Sequence, residues 1–161
     1  MGKSQWYIGS PNGVVLCVDC LEKGRIKGRA YHSYSAEPLQ VDGFDQLLFG
    51  LEDFYDAINF PHPSTNGRTF QGEVRRTNQR EKKEKVMSDE ELLSKHGDLG
   101  TFIVRVQHRQ NSSWQGKITW MDHDKTVNFR SVWEMIQLLA SALDTIEGQE
   151  KEITAQTWEE A

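Results

Sequence analysis

Cys17 and Cys20 stand at the Cys-x-x-Cys spacing that can serve redox chemistry or half of a zinc site. A zinc site needs two more ligands. No second such pair exists, and the five histidines are scattered at 32, 62, 96, 108 and 123. A redox pair opens a helix after a strand, where the helix dipole lowers the thiol pKa. Here the pair falls within or at the end of a predicted strand, 14–20. On a regular strand, positions three apart face opposite sides. Both thiols therefore read as small buried hydrophobes. Serines, histidines and carboxylates are present, but no Gly-x-Ser-x-Gly, phosphate loop or Gly-x-Gly-x-x-Gly organises them into a nucleophile–base set. The expectation is no catalytic residue, no metal and no cofactor.

A second group can do binding chemistry. By strand alternation, Lys27, Arg29 and Tyr31 share one sheet face with Arg105, Arg109 and Lys117, with Gln107 and Gln115 between them. Such a surface could hold a small anion, a nucleotide, a phosphate backbone or an acidic protein patch. Cations are also ordinary on a solvated sheet face, where they discourage edge pairing.

These residues need strands to position them, and the pattern supplies strands. Residues 14–20, 26–34 and 39–41 read as strands separated by Glu22-Lys23-Gly24-Arg25 and by Ser35-Ala36-Glu37-Pro38. A helix follows from about 44 to 59, with Phe44, Leu47, Leu48, Leu51, Phe54, Tyr55 and Ile58 on one face. A further strand is predicted at 5–9. Strands at 102–109, 114–121 and 126–129 precede a second helix, which Ser131 and Glu134 open with capping-box spacing. Ser88 and Glu91 have the same spacing before a short predicted helix over 89–95.

The two stretches match under a shift of 88 positions: Val18 falls on Val106, Gly28 on Gly116, Leu51 on Leu139, Asp56 on Asp144 and Ile58 on Ile146. The predicted fold class is α+β. Two pseudo-symmetric βββα repeats, 14–59 and 102–146, form an antiparallel sheet with one face backed by helices and the other wetter. A unit of about 45 residues struggles to bury a core alone. The expectation is therefore a single domain, 1–147, joined internally by a charged connector, 60–101, and followed by an acidic tail, 148–161, predicted to be disordered.

The net charge of −5 is concentrated in that tail, since residues 147–161 hold five Glu and one Lys. The nearly neutral body argues against a general nucleic-acid binder. No apolar run of about 18 residues indicates a membrane span. No leader is visible, and Trp6 replaces the Ser or Thr of a myristoylation signal. The expected setting is the cytoplasm.

Arg109-Gln110-Asn111-Ser112-Ser113-Trp114-Gln115-Gly116 and Phe129-Arg130-Ser131 resemble the Arg-Gln-Asn-x-x-Trp-Gln-Gly hairpin and Phe-Arg-Ser helix start of small uncharacterised proteins of anaerobic Gram-positive bacteria. The resemblance covers mainly residues 100–144 and implies no activity. The α-β-β-β-α order over 89–144 also resembles a double-stranded-RNA-binding domain. However, its last helix would start Ser131-Val132-Trp133-Glu134, without the lysines that grip phosphates. The expected function is a non-catalytic binding or regulatory protein that occupies a protein or protein–nucleic-acid complex, such as an inhibitor of a nucleic-acid enzyme. The alternative is a nucleotide or small-anion binder with its ligand between the repeats.

Overall fold

Six strands hydrogen-bond into one antiparallel sheet in a computed structural model, which describes residues 8, 12–74 and 84–149. The strands are β1 (Val14–Glu22), β2 (Arg25–Tyr31), β3 (Leu39–Asp42), β6 (Gly100–His108), β7 (Gln115–Trp120) and β8 (Lys125–Phe129). Their order across the sheet is β3-β2-β1-β6-β7-β8. Helix α1 (Phe44–Ile58) follows β3 and helix α3 (Val132–Gln149) follows β8. Between the halves lie a small hairpin, β4 (Gly67–Thr69) and β5 (Gly72–Val74), and the short helix α2 (Asp89–Leu93). The architecture is α+β, as the pattern of periods suggested. The predicted strand 5–9, most of the charged run 75–85 and the tail beyond Gln149 lie outside the described residues.

The centre of the sheet is the pairing of β1 with β6, in the register Val14↔Val104, Val15↔Ile103 and Leu16↔Phe102. All six side chains are buried. Val14, Leu16, Val104 and Phe102 face the helices and join a core with Leu47, Leu51, Tyr55, Ile58, Met135, Leu139 and Leu143. Each such side chain contributes roughly 1.5–3 kcal/mol by leaving water.

The same relation recurs outward on both sides. Gly28 pairs with Val18 in one half, and Gly116 with Val106 in the other. Gly28 then pairs with Val41, and Gly116 with Phe129. A bulge interrupts β1 between Val18 and Cys20, and another interrupts β6 between Val106 and His108. The following turns place Lys23 and Gly24 (φ 53° and 76°) and Asn111 and Ser112 (φ both 56°) in the left-handed region, as a type I′ hairpin turn requires. Gly43 precedes α1 at φ 99°, where any side chain would be strained. At the matching place before α3, Ser131 Oγ accepts from Glu134 N–H at 3.1 Å, and Glu134 Oε1 accepts from Arg130 N–H at 2.9 Å.

The opposite face is drier than expected. Val15, Cys17, Tyr31, Ile103 and Met121 on that side are covered by Ile8, Met87 and Leu92, forming a second, smaller core. Ser88 caps α2 by accepting from Glu91 N–H at 3.1 Å, which sets Leu92 down on the sheet. The connector thus covers the middle of the face that strand alternation alone leaves open.

The two glycines give a direct test of the matched geometry. A Cβ at Gly28 would lie 1.9 Å from the Cys17 carbonyl oxygen, and one at Gly116 would lie 2.0 Å from that of Arg105. Gly28→Ala and Gly116→Ala are each expected to lower the urea-unfolding free energy by about 2–3 kcal/mol with an unchanged denaturant slope. A cost below about 0.5 kcal/mol at either position would contradict this close approach.

Candidate binding site

Five of the six residues expected on one face lie on the outer face of the sheet, and Arg109 does not. The bulge at Gln107 inserts one residue into β6 and reverses the alternation beyond it. Arg109 therefore turns to the helix side and is buried, with 3% of its surface exposed. In the other half, the bulge at Asp19 does the same for Leu21, which packs against the helix-side core. It also brings Cys20, opposite Lys27, to the same face as Cys17, opposite Arg29, so the three-apart argument for opposite faces fails here.

Lys27, Arg29 and Tyr31 stay on the outer face but are engaged within the fold. Lys27 Nζ pairs with Glu22 at 3.0 Å. Arg29 holds Asp19 through Nε at 3.2 Å and Nη2 at 3.0 Å. It also donates to the Tyr31 hydroxyl at 2.8 Å and to the His96 carbonyl at 2.9 Å. Asp19 accepts from the Asp98 amide at 3.1 Å, so this pair fastens the 96–98 segment to the sheet. Tyr31 is 8% exposed, with Lys95 Nζ 5.0 Å from its ring centre. Arg105 and Lys117 face each other across β6 and β7, both half-buried. They lie on the same side of the sheet as Lys27, Arg29 and Tyr31.

Arg109 belongs to a different cluster. Its Nε donates to the Pro61 carbonyl at 2.6 Å, and its Nη1 contacts Asp56 at 2.8 Å and Glu52 at 3.2 Å. The Trp114 indole N–H donates to the other Glu52 oxygen at 2.9 Å. Tyr55 lies beneath, edge-on to Trp114 with ring centres 5.3 Å apart, and Arg109 Cζ is 5.8 Å from the Tyr55 ring centre. Burial holds the Tyr55 hydroxyl far above the ordinary phenol range, opposed by the nearby guanidinium. It stays a neutral phenol, and neither its Oη nor Arg109 Nη2 has a hydrogen-bonding partner among the described residues.

Beside this cluster runs a groove of about 440 Å³, with Leu48, Phe49, Trp114 and Val132 as apolar lining and Arg68 and Ser112 among its polar edges. Ser113 Oγ accepts the Val132 amide at 2.9 Å, which ties the hairpin turn to the start of α3. Phe49 is 73% exposed, Trp133 is 66% exposed, and Phe70 at the tip of the β4–β5 hairpin is fully exposed. Helix α1 carries Asp45, Glu52, Asp53 and Asp56 with no Lys or Arg. Helix α3, which includes Glu134 and Asp144, also has none. That lopsided charge is legible in the sequence, as are the exposed aromatics flanking apolar helix positions. The burial of Arg109 is signalled only by Leu21, its counterpart under the shift of 88.

Cys17 is buried, and desolvation pushes its thiol up to about 11, so it is a poor nucleophile at neutral pH. Among the described residues, no three His, Cys, Asp or Glu side chains gather as metal ligands would, and no helix is long and apolar enough to cross a membrane. The site sits on an α+β scaffold with a six-stranded antiparallel sheet. No family model matches the chain, and neither a curated protein nor a solved structure matches it.

Two measurements check these placements. Arg109→Met should cost about 3 kcal/mol in unfolding free energy, and Arg109→Lys should recover less than half of it, because one ammonium cannot span Pro61, Glu52 and Asp56. A surface arginine would cost under about 0.5 kcal/mol instead. In iodoacetamide labelling of the native protein at pH 8, Cys17 should stay unmodified until denaturant is added; native-state alkylation at Cys17 would contradict its burial.

Proposed function

We propose that this is a non-catalytic binding protein, built from two βββα units, that acts by occupying a macromolecular partner through its helix-covered side. The two-unit reading is supported by the sheet register. The Val15↔Ile103 pair lies at the centre, and its two members are themselves 88 positions apart. Around that pair, strand pairings, bulges and hairpin turns recur at the same offset.

The binding reading rests on one observation. The helical layer combines the exposed carboxylates Asp53 on α1 and Asp144 on α3 with exposed aromatics at Phe49 and Trp133. Exposed aromatic anchors beside a charged rim are the usual composition of a protein-binding surface. The sign of the charge selects the partner: an acidic layer docks on a basic surface, and basic surfaces are characteristic of proteins that handle nucleic acid. The protein would then compete with nucleic acid for such a surface, in keeping with an inhibitor of a nucleic-acid enzyme. The outer cations serve this function less well. Lys27 and Arg29 already spend their charge on Glu22 and Asp19.

The test compares two double variants for partner retention from a host extract, with the retained protein identified and its affinity measured. Asp53→Lys/Asp144→Lys should weaken binding about tenfold or more, equivalent to about 1.4 kcal/mol. Lys27→Glu/Lys117→Glu should leave it unchanged. The reverse pattern would assign docking to the sheet face, and loss in neither would sink the reading.

A further inference from the structure

Of the four carboxylates on α1, three meet a cation of the fold. Asp45 lies 4.0 Å from Arg25, and Glu52 and Asp56 hold Arg109. Asp53 is exposed and has no hydrogen bond or ion pair among the described residues. It lines a pocket of about 350 Å³ where α1 lies over the end of β2 and the start of β3, together with His32, Tyr34, Leu39, Gly50 and Phe54. That volume is at the small end of the roughly 300–1,000 Å³ range of ligand sites. The His32 ring lies flat on Phe54, with ring centres 3.8 Å apart and planes 15° from parallel. Tyr34 leans towards both, 6.3 Å from His32 and 6.1 Å from Phe54. The Tyr34 amide donates to His32 Nδ1 at 3.1 Å, so that nitrogen is unprotonated and the imidazole is neutral. Under the shift of 88, Trp120, Leu138 and Ser141 stand at the places of His32, Gly50 and Asp53. Two of these are larger and the third has no charge, so covering the sheet with a helix does not call for a cavity with a carboxylate there.

The lining selects the charge of an occupant. Asp53 would repel an anion, and a neutral apolar group would strip that carboxylate of water without replacing its hydrogen bonds. A cation gains from both parts of the lining: the carboxylate pairs with it, and ring faces attract positive charge through their quadrupoles. The neutral His32 ring does not oppose it. Among organic cations, guanidinium fits this lining best. It is planar and weakly hydrated, stacks on aromatic rings and meets a carboxylate with two parallel N–H donors. An ammonium is a compact, strongly hydrated point charge. We infer that this pocket takes an arginine side chain of the partner, with its guanidinium against Asp53 and the rings of His32, Tyr34 and Phe54. The inference deepens the binding function proposed above and rests on that reading. An acidic layer that docks on a basic surface gains a defined seat for one basic side chain, and arginine is among the residues that dominate interface energies.

The probe is N-acetyl-argininamide, titrated into ¹³C-labelled protein. N-acetyl-citrullinamide, which keeps the shape without the charge, and N-acetyl-lysinamide are titrated in parallel. The expected result is a saturable shift of the His32 and Tyr34 ring signals with the arginine derivative, and an affinity weaker by about fivefold or more for the other two. Asp53→Asn, an isosteric change at an exposed position, should weaken the arginine derivative by about fivefold or more. Equal binding of the citrulline derivative, tighter binding of the lysine derivative, unaltered affinity in Asp53→Asn, or shifts confined to other surfaces would overturn the assignment. A silent probe, in a protein whose partner binding still falls in Asp53→Lys/Asp144→Lys, removes the pocket and keeps the acidic surface. A responding probe, with partner binding unaltered in that double variant, leaves a guanidinium site but removes both the acidic surface and the partner's arginine from it.

Discussion

The pairing of β1 with β6 is the contact from which the remaining structure is laid out. It is buried on both faces, with Val14, Leu16, Phe102 and Val104 under the helices and Val15 and Ile103 under Ile8, Met87 and Leu92. A two-sided apolar pair fixes register strongly, because a one-residue slip would exchange the two cores. From that fixed centre the sheet grows outward by hairpins whose turns have their own local determinants, Lys23-Gly24 on one side and Asn111-Ser112 on the other. Each helix then starts from the strand at its edge of the sheet and covers the central pair from the same side. A displaced β1–β6 register would move the groove, the Arg109 cluster and the α2 cover together.

Much of this was legible before any coordinates. Period-two alternation located the strands, and the three-and-four spacing of Leu47, Leu51, Tyr55 and Ile58 located α1 and its buried face. The capping pairs Ser88–Glu91 and Ser131–Glu134 marked two helix starts that the hydrogen bonds bear out. What alternation could not show was the pair of bulges. A bulge leaves no strong local signature in Val18-Asp19-Cys20 or Val106-Gln107-His108, yet it inverts every side chain after it. That single effect moved Arg109 from an expected cationic surface into the helix-side core and placed Cys17 and Cys20 on one face. The covering of the outer face was missed for a different reason. Met87 and Leu92 sit in a polar connector, where they carry no periodic signal.

The electrostatic reading shifted for the same cause. Counting cations along strands suggested a positive sheet face, but side chains of opposite sign lie within reach once the chain is folded. Asp19, raised by the bulge, takes Arg29; Glu22, at the strand end, takes Lys27. A partly exposed pair of this kind contributes little stability, about 0–1 kcal/mol, so its effect is to mute the local field and hold the 96–98 segment. The helices are compensated only in part: Asp45 lies 4.0 Å from Arg25 and Glu134 pairs with Arg130, while Asp53 and Asp144 stay exposed. Their carboxylates have no cation on the same helix, and the guanidinium that meets Glu52 and Asp56 is itself buried from solvent.

Where the two halves differ is therefore as informative as where they agree. The positions that set geometry correspond in kind: Val18 with Val106, Gly28 with Gly116, Leu51 with Leu139. The groove positions do not. Arg109 stands opposite Leu21, Trp114 opposite Ile26, and Glu52 opposite Ala140. The counterparts Leu21, Ile26 and Ala140 are apolar groups that need no partner, which is the less costly way to complete a core. The Arg109 cluster instead buries a guanidinium, recruits two carboxylates of α1 and the Pro61 carbonyl to hold it, and still leaves Nη2 and the Tyr55 hydroxyl unmatched among the described residues. Packing alone gives no reason for that substitution, since Leu21 shows what packing accepts at the same place. Fastening the chain that leaves α1 does give one, because the guanidinium ties Pro61, Glu52 and Asp56 to the end of β6 in a way that a leucine cannot.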